Sequence, residues 1–163
     1  MHLRTSIRNA VADRLRDGVS ICGGRVFRYR TTPWDDQDLP CLIVHLGSES
    51  PTDIGNGQHP KVYERSLEVV VRGIVANGQT IEDDVDTLLE QVETAIVSDD
   101  LSFGGIVEDI TFVGVSDTTN RAGEVELPFG VFNAVWKVTY RTRDGNPSQT
   151  ASAVTPTAAT TFI

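Results

Sequence analysis

The sequence predicts an α+β fold: a two-layer sandwich in which a mainly antiparallel sheet of four to five strands carries two helices on one face. Three observations predict it. Apolar residues recur at helical spacing in one segment at the N-terminus and another in the middle of the chain; other segments alternate apolar and polar residues with a period of two. The segments run in the order helix, strand, strand, strand, helix, strand, strand. With 163 residues, the chain has room for one core.

Leu3, Ile7, Val11 and Leu15 stand four apart, Ala10 widens the stripe, and Arg4, Arg8, Asp13 and Arg16 lie off it, which defines an amphipathic helix. Gly18 is placed to end that helix in a left-handed cap, a conformation glycine adopts without a Cβ clash. A short strand is expected near Arg25 to Arg30. The stretch TTPWDDQDLP has the composition of a loop, and Pro40 then introduces the apolar run CLIVHL, which reads as a buried strand. Residues 47–61, GSESPTDIGNGQHPK, are rich in turn formers and predict a long, mobile loop.

Residues 62–75, VYERSLEVVVRGIV, are the clearest strand: Tyr63, Leu67, Val69, Val71 and Val75 alternate with Glu64, Ser66, Glu68 and Arg72. The segment is more than twice the usual ~5–6 residues, so it must run past the core or carry a bulge. Val70 and Ile74 fall on its otherwise polar face, which makes that face a candidate for contact with another protein. Thr80 with Asp83 three positions on resembles a capping box, and Ile81, Val85, Leu88, Leu89, Val92 and Ile96 give the second helix its buried stripe. Strands are expected at residues 106–115 and 131–143, the latter turning Phe132, Ala134, Trp136, Val138 and Tyr140 to one side. The intervening SDTTNRAGEVELPFG is a second long loop. Residues 144–163 end in a Ser/Thr/Ala/Pro tract with too little apolar surface to order itself, a flexible tail appended to a domain at 1–143.

Several function classes are excluded or disfavoured by composition. No run approaches the ~18 apolar residues of a membrane span. Charged side chains interrupt the first 17 residues where a signal peptide would place its apolar segment, which predicts an intracellular protein. A net charge of −9 opposes binding to nucleic-acid phosphates. Cys22 and Cys41 have neither CxxC nor zinc-site spacing and read as buried thiols.

The charge is unevenly distributed. Residues 1–30 hold seven arginines against Asp13 and Asp17, a net of +5, whereas residues 82–109 hold ten acids and no Lys or Arg. Solvated helix faces are the ordinary meaning of such runs. Oppositely charged flanks also suit head-to-tail contact between copies, with Arg8 and Arg16 on the basic side. Glu82, Asp83, Asp86, Glu90 and Glu93 would then face a neighbour, or an enclosed channel where their charge repels DNA.

Catalytic patterns are weak. His2, His45 and His59 lack the spacing of a helical zinc site, and His45 reads as a packed strand residue. The glycines of VSICGGRV lack the Lys-Ser/Thr of a phosphate loop. Asp53 and Glu64 have the first-to-last spacing of a calcium loop without the ligands between them. Asp35, Asp36 and Asp38 beside Trp34 suit an acidic solvent loop, and no serine sits in a nucleophile elbow. No enzyme, cofactor or metal is therefore expected.

An N-terminal helix IRNAVADRLRD, PCLIVHLGSE before a loop, the long strand YERSLEVVVRGIV, the acidic helix IEDDVDTLLEQVETAIVSDD and the closing strand FNAVWKVTYRT together resemble the tail terminator (minor tail protein U-like, tail completion) proteins of long-tailed bacteriophages. The resemblance spans about residues 1–143 and consists of an arrangement of elements, with no catalytic signature. It implies a virion protein, assembled in the host cytoplasm, that forms a hexameric ring on the last ring of tail tube protein. Such a ring stops tube growth and receives the head through a head-completion protein, while DNA passes the lumen without specific binding. Under this resemblance the subunit or tube contact is expected at the outer end of the long strand, with Val70, Arg72 and Ile74, and at the loop with Leu127 and Phe129. The alternatives are another neck component, a head–tail adaptor or head-closure protein, and, from a different class, a small cytoplasmic enzyme or ligand-binding domain.

Overall fold

The computed structural model describes residues 1–28, 38–76, 80–117 and 129–152. Helix α1 (Leu3–Gly18) leads through a 3-10 turn (Ser20–Cys22) to strand β1 (Val26–Phe27). Then come β2 (Cys41–Asp53), β3 (Val62–Ala76), helix α2 (Ile81–Val97), β4 (Asp109–Asp117) and β5 (Phe129–Arg143). The five strands form one sheet in the order β1-β2-β3-β5-β4. The two-residue β1 lies parallel to β2, and every other pair is antiparallel. This is the expected α+β sandwich.

Period-two alternation decides which side chains meet the helices. Leu42 and Val44 of β2, Leu67, Val69, Val71 and Val75 of β3, and Phe132, Ala134, Trp136, Val138 and Tyr140 of β5 share one buried cluster. Leu3, Ile7, Val11 and Leu15 of α1 and Val85, Leu88, Val92 and Ile96 of α2 join it, so both helices lie on that face. Each fully buried aliphatic or aromatic side chain contributes about 1.5–3 kcal/mol relative to exposure. Gly73 makes room within this layer: a Cβ there would lie 2.1 Å from the Phe132 ring, which covers the bare backbone instead. Leu39, Cys41, Ile43, Ile74 and Val131, with Phe27 against them, form a smaller cluster apart from this core.

Several details depart from the sequence expectations. Gly18 is a helical residue, not a left-handed cap: the cap is Val19 at φ −102°. A Cβ at Gly18 would sit 2.7 Å from Cβ of Ala95, so glycine is needed where α1 and α2 approach closely. Residues 47–53 are strand, not loop, because β2 continues beside β3 to Asp53 after a bulge between Leu46 and Glu49. Cross-strand pairing outweighs the turn-forming composition there, and the connecting loop shrinks to 54–61. The bulges fall in the partners β2 and β4, while β3 itself pairs with β5 without interruption from Val62 to Ala76.

Thr80 makes no cap bond to the α2 backbone; its Oγ1 donates to Oδ2 of Asp84 at 3.2 Å. β4 starts at Asp109, after residues 101–106 form turns with Phe103, Gly104 and Gly105 at positive φ. The expected strand beyond Phe27 and the loops around Trp34 and Leu127 extend into residues 29–37 and 118–128, outside the described residues, as do residues 153–163.

The tail boundary also shifts. Residues 144–152 dock on the domain: Asn146 bridges Arg143, the N–H of Ala151 donates to the Arg141 carbonyl at 3.0 Å, and Ala151 is buried. Pro147 offers its carbonyl to the N–H of Leu3 at 3.0 Å, while His2 Nδ1 accepts from the N–H of Arg4. Two of the unpaired donors that open every helix are thereby satisfied.

Two outcomes check this account. Gly18→Ala should lower urea stability by about 1–2 kcal/mol, because steric overpacking outweighs the helix-propensity gain; a double-mutant cycle with Ala95→Gly should return a coupling of about 1 kcal/mol. A chain ending at Ser152 should unfold at the same denaturant midpoint as the full chain, whereas one ending at Asp144 should lose about 1–2 kcal/mol with the Leu3 and Ala151 bonds.

Candidate functional site

The charged groups divide between those engaged within the fold and those left facing outward. Fifteen residues of strand at ~3.3 Å each extend about 50 Å, against about 24 Å for a 16-residue helix, so the sheet outruns its helical layer. Where α1 begins, the apolar core gives way to Glu49. Its carboxylate is nearly buried, pairs with Arg4 Nε at 3.1 Å and Arg65 at 3.3 Å, and accepts a short hydrogen bond from the Tyr140 hydroxyl. Arg65 Nε also donates to Oγ1 of the fully buried Thr142 at 2.7 Å. Burial and the bond to Glu49 push the Tyr140 phenol well above its usual range. Farther out, Lys61 at the end of the 54–61 loop pairs with Asp53 of β2, and Arg141–Glu64 lies across β5 and β3.

At the other end of α1, Arg14 reaches α2. It donates to the carbonyls of Ile96 and Asp100 and lies 3.8 Å above the centroid of the Phe103 ring. The last turn of α2 contains no basic residue, so Arg14 supplies from outside the positive charge a helix C-terminus favours. Asp100 accepts bonds from the Ser102 hydroxyl and the N–H groups of Ser102 and Gly104, which hold its carboxyl down at about 2. Arg16 pairs with Asp13 at 2.7 Å and donates to the Val26 carbonyl, and Arg25 donates to the carbonyls of Pro40 and Ile21.

Arg8 differs. It stands between Arg4 and Arg16 on the same ridge of α1, and its Nε is buried with no hydrogen-bond partner among the described residues. On α2, Glu82, Asp83, Asp86, Glu90 and Glu93 are all exposed, and none forms an ion pair among the described residues. The two helices thus present opposite charge on one layer of the fold.

The long strand's outer face separates the expected contact residues. Arg72 is exposed and Val70 is half-buried, but Ile74 is only 2% exposed. Ile74 packs on Cys41, Ile43 and Val131 within its own chain, so the proposed role of an outward contact residue is corrected for this position. Phe129 opens β5 opposite Ala76; Leu127 lies outside the described residues. His45 is half-buried beside them, and burial followed by the nearby Arg72 charge lowers its pKa. Sequence reasoning missed the exposed edge of β4, where Phe112, Val113 and Val115 are 44%, 62% and 40% accessible. Their apolar character was visible; their exposure depends on β4 being at the end of the strand order.

Compared with protein-family models and with curated protein sequences, the chain matches none.

Among the described residues no three His, Cys, Asp or Glu side chains gather where they could hold a metal ion, and no helix is long and apolar enough to cross a membrane. Both cysteines are buried; burial, with Cys41 nearby, pushes the Cys22 thiol up to about 12. Asp53, from the calcium-loop spacing, instead accepts from the N–H of Gly55 and faces Lys61. The largest recess described, about 500 Å³ between α1 and the 98–104 turn, is lined by Arg14, Asp17, Asp99 and Asp100, whose arginine is already engaged.

The Glu49 cluster makes a quantitative expectation. Glu49→Ala strands two guanidinium groups and a phenol at the core boundary and should cost about 3 kcal/mol in urea unfolding. Tyr140→Phe removes one bond to a charged acceptor and should cost about 1.5 kcal/mol. A cost below half of these values for both variants would show that water replaces the network.

Proposed function

We propose that the protein is a structural virion component that forms a ring on the head-proximal end of a phage tail tube, ends tube polymerisation and offers the surface to which the filled head attaches. The resemblance of residues 1–143 to tail terminators supports the reading, and the α+β sandwich agrees with the subunit that resemblance implies. The observation that carries it is the separation of charge on the helical layer: Arg8 of α1, which forms no ion pair among the described residues, and five exposed acids of α2. A subunit with two different, complementary flanks associates head to tail, and head-to-tail contacts close into a ring when the rotation between copies divides a full turn.

In this reading the chain carries no catalytic centre and no cofactor, and its ring is hexameric. The partners are tail tube protein on one side and a head-completion protein on the other. DNA crosses the lumen unread, because acidic side chains lining a channel repel phosphates and keep a passing duplex from adhering. Val70 and Arg72 on the outer sheet face remain the proposed tube contacts.

The decisive experiment combines native mass spectrometry over a concentration series with capping of purified tail tubes. Expected are six-subunit rings with a central hole, and tubes that stop elongating when the protein is added. Binding to filled, tailless heads with no effect on headless tubes would assign the protein to head closure instead. A monomer that neither assembles nor caps tubes would overturn the reading.

A further inference from the structure

We propose that the Asn56–Gly57 step, in the loop between β2 and β3 at the tip of the sheet, is a site of spontaneous covalent modification at which a side-chain amide becomes a carboxylate with water as the sole co-reactant. It stands apart from the ring reading and uses none of its contacts.

The loop is tied at both ends and open at its centre. On the way out of β2, the N–H of Ile54 donates to the Val62 carbonyl at 3.0 Å and the N–H of Gly55 donates to Oδ1 of Asp53 at 2.9 Å. On the return, the N–H of Lys61 donates to Oδ2 of Asp144 at 3.2 Å, and His59 Nδ1 lies 3.3 Å from the same oxygen. Asn56 and Gly57 stand between these ties. Both are exposed, and neither makes a hydrogen bond among the described residues, so the Asn56 side chain and the Gly57 amide have no protein partner to give up before they react.

Gly57 makes the step reactive. It sits at φ +72°, a Cβ built on it would meet nothing within 4 Å, and without that Cβ its nitrogen is unobstructed from the Asn56 side. The other described asparagines lack this combination. Asn9 lies in α1 with its Oδ1 buried, and Asn133 lies in β5 between β3 and β4. Asn146 donates to Gln149 at 2.9 Å and precedes Pro147, whose nitrogen carries no proton to lose. Asn77, which also precedes a glycine, and Asn120 lie outside the described residues.

The chemistry balances without any oxidant or reductant. The Gly57 nitrogen loses its proton to solvent base and attacks Cγ of Asn56; the N–Cγ bond forms, the Cγ–Nδ2 bond breaks, and ammonia leaves with a proton from solvent. The product is a five-membered succinimide. Water adding at its Cγ carbonyl breaks the new N–Cγ bond and restores the backbone with aspartate in place of asparagine. Water adding at the other carbonyl breaks the original peptide bond and routes the backbone through the side chain, an isoaspartyl linkage longer by one methylene. Either product adds one negative charge to a chain that already carries −9, in a span bounded by the Asp53 and Asp144 carboxylates. The tip therefore changes in charge and, in the isoaspartyl form, in backbone length as the protein ages.

The test incubates the full chain in mildly alkaline buffer for several weeks, then digests it with trypsin under mildly acidic conditions that add no further conversion. Residues 31–61 form one tryptic peptide with Asn56 as its single asparagine, while Asn77 falls in the peptide of residues 73–121, so the two Asn-Gly steps are read separately. Expected is a gain of one mass unit in the 31–61 peptide, split into two chromatographic forms and localised to residue 56 by fragmentation, with heavy-oxygen water adding two units more. Asn56→Gln, whose longer side chain would need a six-membered ring, should abolish the gain at residue 56. Gly57→Ala should slow it several-fold, with far-UV circular dichroism confirming that both variants fold. An unchanged 31–61 peptide, over an incubation that converts a synthetic peptide of residues 50–61, would overturn the proposal by showing that the folded loop protects the step. A gain that fragmentation assigns to Gln37 or Gln58 in place of Asn56 would overturn it as well.

Discussion

Everything else in the molecule is referred to β3. It is paired without interruption to β5 from Val62 to Ala76 and to β2 from Tyr63 to Ile74 across a single bulge. A strand bonded on both sides fixes its own register, because a one-residue slip would turn Leu67, Val69 and Val71 away from the helices and Glu68 and Arg72 into them. With that register set, β5 meets α2 and β2 meets α1 across the shared core. The helices have little freedom left: Gly18 and Ala95 meet where no further carbon fits.

Much of this was legible because periodicity is local. The two helices, the long strand and the inward row of β5 follow from spacing alone; most of the residues the spacing selects are buried, but Ile81, Leu89 and Tyr63 are half-buried, and Ala12 and Ala95 are buried although the spacing does not select them. What escaped was set by partners distant in sequence. Residues 47–53 read as loop because Gly, Ser, Pro and Asp disfavour strands in isolation; β3 supplies the pairing that overrides them. Gly18 has the same appearance in sequence whether it caps a helix or admits another, and Ala95, which decides, is 77 positions away. Ile74 looked outward by parity, and parity was right about the face; a second small cluster covers that end of it. The tail differed for a related reason, since Pro147 and Ala151 are held by hydrogen bonds to backbone and need little apolar surface.

The basic N-terminus and acidic middle of the chain have partly internal explanations. Arg14 neutralises the end of α2, Arg4 balances Glu49, and Arg16 and Arg25 tie the chain around β1. Acids in the first turn of α2 complement its dipole, as they would in any helix. Subtracting these leaves, among the described residues, a smaller and more informative set: Arg8, Arg28 and the outward acids of α2. Total charge per segment therefore overstates what is available for partners, and the residual charge is the better guide to them.

The Glu49 cluster divides the sheet into two materials. On the helix side of it, side chains of close-packed hydrocarbon hold the strands, with no charge for salt to screen. Beyond it, Arg141–Glu64 spans neighbouring strands and Lys61–Asp53 ties the 54–61 loop to β2, with carboxylates and cations partly in water. Their separations of 3.4–3.6 Å lie inside the Debye length of about 8 Å at physiological strength and reach it only at about 1 M salt, where it falls to about 3 Å. Concentrated electrolyte therefore weakens the side-chain ties at the tip of the sheet while the backbone ladder there, and the root, stay paired.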